Sequence, residues 1–215
     1  MSLYLLSPIS YLLSPGITVT ALHKPFSLAR DLEDFRRQFD QIADDADGLA
    51  GKLTNDQFNW RPGEARWSIA QCIEHLNVTA RLYLPTLDEG IDEAIRRGLY
   101  GEGPFTYSLL TRAVLGLVEP PPRIRLKTPK AFLPPPERGR QETMAAFRAY
   151  QMQYVDRLRQ ANGLDLSRAR VAHPGSRLVR IPLGTGFAIV CAHERRHLWQ
   201  ARQVRQDPAF PETGT

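Results

Sequence analysis

The sequence predicts an all-α chain folded as a four-helix bundle. Three observations carry this: four long segments place apolar residues at three- and four-residue spacing, a Pro/Gly-rich stretch at residues 98–136 separates the second from the third, and no segment shows convincing strand alternation. The chain has 215 residues, enough for one domain with a full core.

The first helix is expected over residues 28–52, with Ser27 placed to cap it. Leu28, Leu32, Phe35, Phe39, Ile42, Ala46 and Leu49 recur along one face, with acids and arginines between them. Thr54 to Arg66 reads as a loop, with Arg61-Pro62-Gly63 as a turn signal. A second helix follows from Ser68 to Arg97 through Ile69, Cys72, Ile73, Leu76, Ala80, Leu84, Leu87 and Ile91, and Pro85 should kink or break it. Residues 98–136 form the long crossover between helices two and three, with a short helix at 105–117. The third helix covers 137–161 and stops at Asn162-Gly163. An irregular stretch with His173-Pro174-Gly175 and an extended piece from Leu178 to Leu183 precedes a fourth helix, Thr185 to Gln206, which Asp207-Pro208 ends. The chain thus divides into an apolar leader, 1–26, a bundle domain, 27–207, and a tail, 208–215.

Composition narrows the function classes. The net charge is +5, but the basic residues are scattered, without the concentrated footprint that phosphate binding leaves, so no nucleic-acid partner is expected. Cys72 and Cys191 form no disulfide framework and sit in apolar helical stretches, which fits a reducing cytoplasm. The leader repeats Tyr-Leu-Leu-Ser-Pro at 4–8 and 11–15, yet has no Lys or Arg before Lys24 and is broken by prolines. It reads as neither a secretory signal nor a membrane span, and no membrane partner is expected.

The histidines carry the chemistry. His193 and His197 lie four apart in the fourth helix, so their side chains sit about 40° apart on one face, one turn above the other. That spacing lets two imidazoles reach one ion. A third ligand must come from a facing helix, and His75, near the core side of helix two, is the candidate. The same histidines can equally be read as hydrogen-bonded core residues. His23 in the leader and His173 in a loop read as solvated or locally hydrogen-bonded.

Trp67-Ser68-Ile69-Ala70-Gln71-Cys72-Ile73-Glu74-His75-Leu76 resembles the opening of helix two in the DinB/YfiT-like superfamily, and Phe58-Asn59-Trp60-Arg61-Pro62 the loop before it. His193-Glu194-Arg195-Arg196-His197-Leu198-Trp199-Gln200 is similar to that family's last helix, and His173-Pro174 with the apolar run after it to the segment upstream. The resemblance covers most of residues 28–206. It implies a four-helix bundle, often a homodimer, with a divalent metal, zinc or nickel foremost, on His75, His193 and His197. The family includes transferases and isomerases that use low-molecular-weight thiols, along with members of unknown activity, so the resemblance implies such a thiol as partner. A three-histidine site with open positions suits an enzyme of transferase or hydrolase type acting on a small molecule.

His193-Glu194-Arg195-Arg196-His197 is also a literal H-E-x-x-H, the zinc motif of zincin proteases. The extended pattern fails, since positions 200 and 203 are Gln where Gly and His are required. Glu194, about 100° around the helix from His193, then reads as a surface group or a group behind the ligands. Gln200 and Glu194 remain the weaker candidates for catalytic roles, and Gln200 reads equally as a group that contacts or orients a ligand and as solvated surface. Cys72, Trp60, Trp67 and Trp199 read as core or pocket wall. The non-enzyme alternative is a metal-binding or stress-associated interaction protein.

Overall fold

A computed structural model describes residues 28–106, 108–122 and 127–212, the side chain of Arg177 excepted. The leader, His23 and the Ser27 cap lie outside the described residues. The chain is mainly helical, as expected. Its elements are α1 (Arg30–Ala50), α2 (Asn55–Asn59), α3 (Ile69–Arg96), α4 (Leu109–Val118), a 3-10 turn (Lys130–Phe132), α5 (Arg140–Gln160), β1 (Arg170–His173), β2 (Ser176–Pro182) and α6 (Leu183–Arg205). The bundle consists of α1, α3, α5 and α6, with α3 and α1 each packed against both α5 and α6.

The predicted apolar stripes form the core. On α1, Leu32, Phe35, Phe39, Ile42, Ala46 and Ala50 are buried. Phe39 stacks on Tyr154 of α5 at 5.0 Å between centroids, and Phe35 meets Phe187 of α6 at 5.8 Å. Pro85 does not end α3. It sits on the exposed face of the helix, where the carbonyl it deprives of a partner can turn to water. Gly163, at φ 85°, takes the left-handed conformation just after α5 that the Asn-Gly pair predicted.

Two elements differ from the sequence expectation. The loop at 54–66 contains α2, started by a capping box in which Thr54 Oγ1 accepts from the Gln57 amide and Gln57 Oε1 accepts from the Thr54 amide. The Thr-x-x-Gln signature was present in the sequence, but one helical turn is too short to show periodicity. The extended piece expected at 178–183 is most of β2, but the stretch before it, read as irregular, supplies β1 and completes an antiparallel hairpin, with Val171 opposite Ile181 and a register irregularity between Ala172 and His173. Four residues of β1 cannot display alternation. What holds the strand is its fit onto the helices: Val171 is fully buried, and Gly90 of α3 and Gly186 of α6 leave room for it.

The segment after α6 packs back on the bundle. Phe210 is buried, lies edge-on to Trp60 at 5.4 Å and sits under the Arg205 guanidinium, while the Pro211 carbonyl accepts from Gln57 Nε2. None of the described helices is long and apolar enough to cross a membrane.

Candidate metal centre

Two helix starts aim the three imidazoles. Ser68 and Gln71 form a reciprocal capping box at the head of α3, with both hydrogen bonds at 3.1 Å, and His75 follows two turns in. Trp67, immediately before that cap, lays its indole against the rings of His75 and His197, at 5.1 and 5.8 Å between centroids. On the other side, β2 runs directly into α6, where His193 and His197 occupy successive turns of the face toward α3.

The structure brings all three histidines together. One nitrogen of each lies within 4.8 Å of the others, a grouping able to hold a metal ion and, among the described residues, the only such grouping of His, Cys, Asp or Glu. His75 Nε2 and His193 Nε2 are 3.2 Å apart. Two imidazole nitrogens bound tetrahedrally to one zinc at about 2.0–2.1 Å stand about 3.3 Å apart, so the donor set fits a small divalent ion. His75 and His197 are buried at 4% and 9% exposure, while His193 is partly exposed, so the cluster meets solvent on one side.

Electrostatics prepares these rings to be ligands. Burial lowers the pKa of His75, against the raising effect of its bond to the Phe132 carbonyl. Burial, then the charges of His75 and Arg196, brings His193 down to about 3. His197 is held well below the ordinary imidazole value by burial and by His193, His75 and Arg196. Neutral rings with free lone pairs are what a divalent cation requires.

The remaining candidates fall into place around the cluster. Gln200 Oε1 lies 3.1 Å from His197 Nδ1. The Phe132 carbonyl lies 2.7 Å from His75 Nδ1, across 57 residues of sequence. No sequence signal announces it, because any residue supplies a carbonyl. Cys72 is fully buried in the core, with its thiol pKa pushed up by burial, and it lies outside the ligand grouping. His173 ends β1 as an exposed residue whose Nδ1 accepts from the Gly175 amide. Arg195 and Arg196, between the two α6 histidines, fasten α4: Arg195 pairs with Glu119, and Arg196 donates to the Leu117 carbonyl at 3.1 Å.

Glu194 is not a surface group. It is 2% exposed, and its Oε1 accepts from Gln151 Nε2 of α5 at 2.9 Å, so the carboxyl is engaged with the neighbouring helix. That engagement, in a chain whose only described sheet is a two-stranded hairpin, leaves the zincin reading without support. Burial pushes the Glu194 pKa from 4.5 to about 8, and Glu194 Oε2 and Gln151 Oε1 find no hydrogen-bond partner. A carboxyl with a raised folded pKa contributes full stability below pH 4.5, and that contribution is lost as pH rises toward 8. Glu194→Gln removes the loss and offers an amide donor to Gln151 Oε1. Its stability advantage over the wild type should therefore grow between those pH values, by up to about 1.4 kcal/mol per pH unit. Urea unfolding at several pH values measures it. A constant difference would mean that Glu194 is ionised in the fold.

Comparison with known proteins returns one family. The model of the DinB superfamily matches residues 38–201, a span that contains all three histidines. Neither the curated proteins nor the solved structures gave a match.

Proposed function

The chain belongs to the DinB superfamily, and from that premise we propose that it is a metal-dependent enzyme in which His75, His193 and His197 hold a divalent ion, zinc or nickel, for transfer or hydrolysis on a small molecule. The observation that carries this reading is the convergence of three buried or half-buried imidazoles from two helices, held neutral by burial, with one nitrogen of each within 4.8 Å of the others. Three protein ligands are the number that catalytic zinc sites use, leaving a position for substrate. Such an ion supplies Lewis acidity, which turns a weakly acidic O–H or S–H group into a nucleophile near neutral pH.

The chain's own groups do the rest. The partly exposed edge at His193 is the side from which a small substrate approaches. The Trp67 indole, packed against His75 and His197, forms an apolar wall beside these two rings. A low-molecular-weight thiol is the co-substrate suggested by the family resemblance.

A non-catalytic metal-binding role is the competing reading, and one observation favours it. His75 and His197 are only 4% and 9% exposed, so an ion held there would meet solvent only along the His193 edge. The deciding experiment is a thiol-transfer screen with common low-molecular-weight thiols on zinc- and nickel-loaded protein, beside a His193→Ala/His197→Ala variant. Turnover that needs both metal and histidines supports the enzyme. Tight metal binding with no turnover against any thiol or hydrolysable ester supports the binding protein.

A further inference from the structure

We propose that Gln200 and the main-chain carbonyl of Phe132 are positioning groups of this centre. Each accepts the Nδ1–H of one histidine, which leaves Nε2 of His197 and of His75 for the ion and makes metal binding depend on the seating of the crossover turn Lys130–Phe132. The inference rests on the metal-centre reading above and concerns how the ligands are set.

A neutral imidazole carries its proton on one nitrogen, and only the other can bind a metal. A carbonyl oxygen can only accept. At 2.7 Å from His75 Nδ1, the Phe132 carbonyl therefore requires the proton on that nitrogen and leaves Nε2 bare. It is this Nε2 that faces His193 Nε2 at 3.2 Å. Gln200 presents Oε1 to His197 Nδ1 at 3.1 Å, and in that amide orientation it accepts the Nδ1 proton and leaves Nε2 of the third ring bare. An acceptor on the far nitrogen also fixes the ring plane and raises the basicity of the ligating atom.

The two groups differ in origin. Gln200 is three residues beyond His197 on the same helix, so it is in place whenever α6 is formed. Phe132 comes from the crossover, in a turn of its own held by Phe132 N–H to the Pro129 carbonyl at 3.0 Å and Leu133 N–H to the Lys130 carbonyl at 3.2 Å. The Phe132 ring lies beside Gly175 of the hairpin turn, while Lys130 and Ala131 are exposed. If the turn lifts, His75 Nδ1 loses its acceptor and the ring is free to populate both tautomers. Linkage makes the effect reciprocal: an ion that holds His75 also holds the turn.

Three measurements on the full chain test this: zinc affinity by competition titration, imidazole nitrogen NMR, and amide exchange of the turn. Gln200→Leu should weaken zinc binding about tenfold and convert His197 from the Nδ1–H form to a tautomer mixture, whereas Gln200→Glu, which keeps an acceptor, should retain or tighten it. The Phe132 and Leu133 amides of the wild type should exchange about tenfold more slowly at saturating zinc. That arm needs no variant. Equal zinc affinity in wild type and Gln200→Leu, or turn exchange indifferent to zinc, overturns the positioning role while the metal centre stands. No zinc binding by the wild type removes the centre and this proposal together.

Discussion

Zinc added to the purified full chain should raise its melting temperature by about 5–10 °C, and the His193→Ala/His197→Ala variant should show no rise. The size follows from mass action. Metal at a hundred times its dissociation constant stabilises the fold by about 2.7 kcal/mol, and in a chain of this length each kcal/mol moves Tm by about 2–4 °C. The double variant removes both ligands that share one helix face and leaves His75 alone, which cannot hold an ion tightly. Elemental analysis reads the same result directly, with bound metal in the wild type and background in the variant. Near-zero metal in both would remove the centre. The pH dependence has a definite sign. Burial holds all three rings below the ordinary value of 6.5, so they stay neutral in the fold where unfolded histidines take up protons. Without metal, stability contributed by these rings is therefore present above pH 6.5 and is lost as pH falls below it, by up to about 1.4 kcal/mol per pH unit for each ring. With zinc, the Tm rise should persist below pH 6.5.

Gly90→Ala should destabilise the protein by about 1–3 kcal/mol, although the same exchange in an open helix position stabilises by about 1 kcal/mol. A Cβ at Gly90 of α3 would stand 2.7 Å from the Arg170 carbonyl oxygen and 3.3 Å from Val171 Cα of β1. These are backbone atoms, so relief requires α3 and the hairpin to move apart, which uncovers the buried Val171. Gly48 of α1 is the control, because a Cβ there meets nothing within 4 Å. Thermal unfolding should order the variants Gly48→Ala above wild type above Gly90→Ala. A Gly90→Ala protein as stable as the wild type would mean that the hairpin is not clamped to α3.

These results separate what local sequence states from what it cannot. The stripe from Leu32 to Ala50, the Ser68 cap and the Gly163 stop are written in residue spacing and type, so α1, α3 and the end of α5 were legible. The extended piece that becomes β2 was legible too, but its partner was not, because β1 is four residues long and is held by a glycine on α3 some eighty residues away. Glu194 reads from the sequence as either a surface group or a group behind the ligands, and the choice between them lay outside the sequence for a related reason. Helical geometry gives the angle between Glu194 and His193, but not that Gln151 of α5 waits at that angle.

The sequence by itself determined the histidine pair on α6, since a period of 3.6 residues places His193 and His197 on one face whatever surrounds the helix. It also offered His75 on a second core helix, and the family resemblance joined the three. Only the tertiary structure decided that their nitrogens converge within 4.8 Å, that Trp67 packs against His75 and His197, and that a carbonyl from the crossover reaches His75. The reason is physical. Periodicity acts within a few residues of chain, whereas burial, ring neutrality and hydrogen bonds across 57 residues arise only when the helices pack.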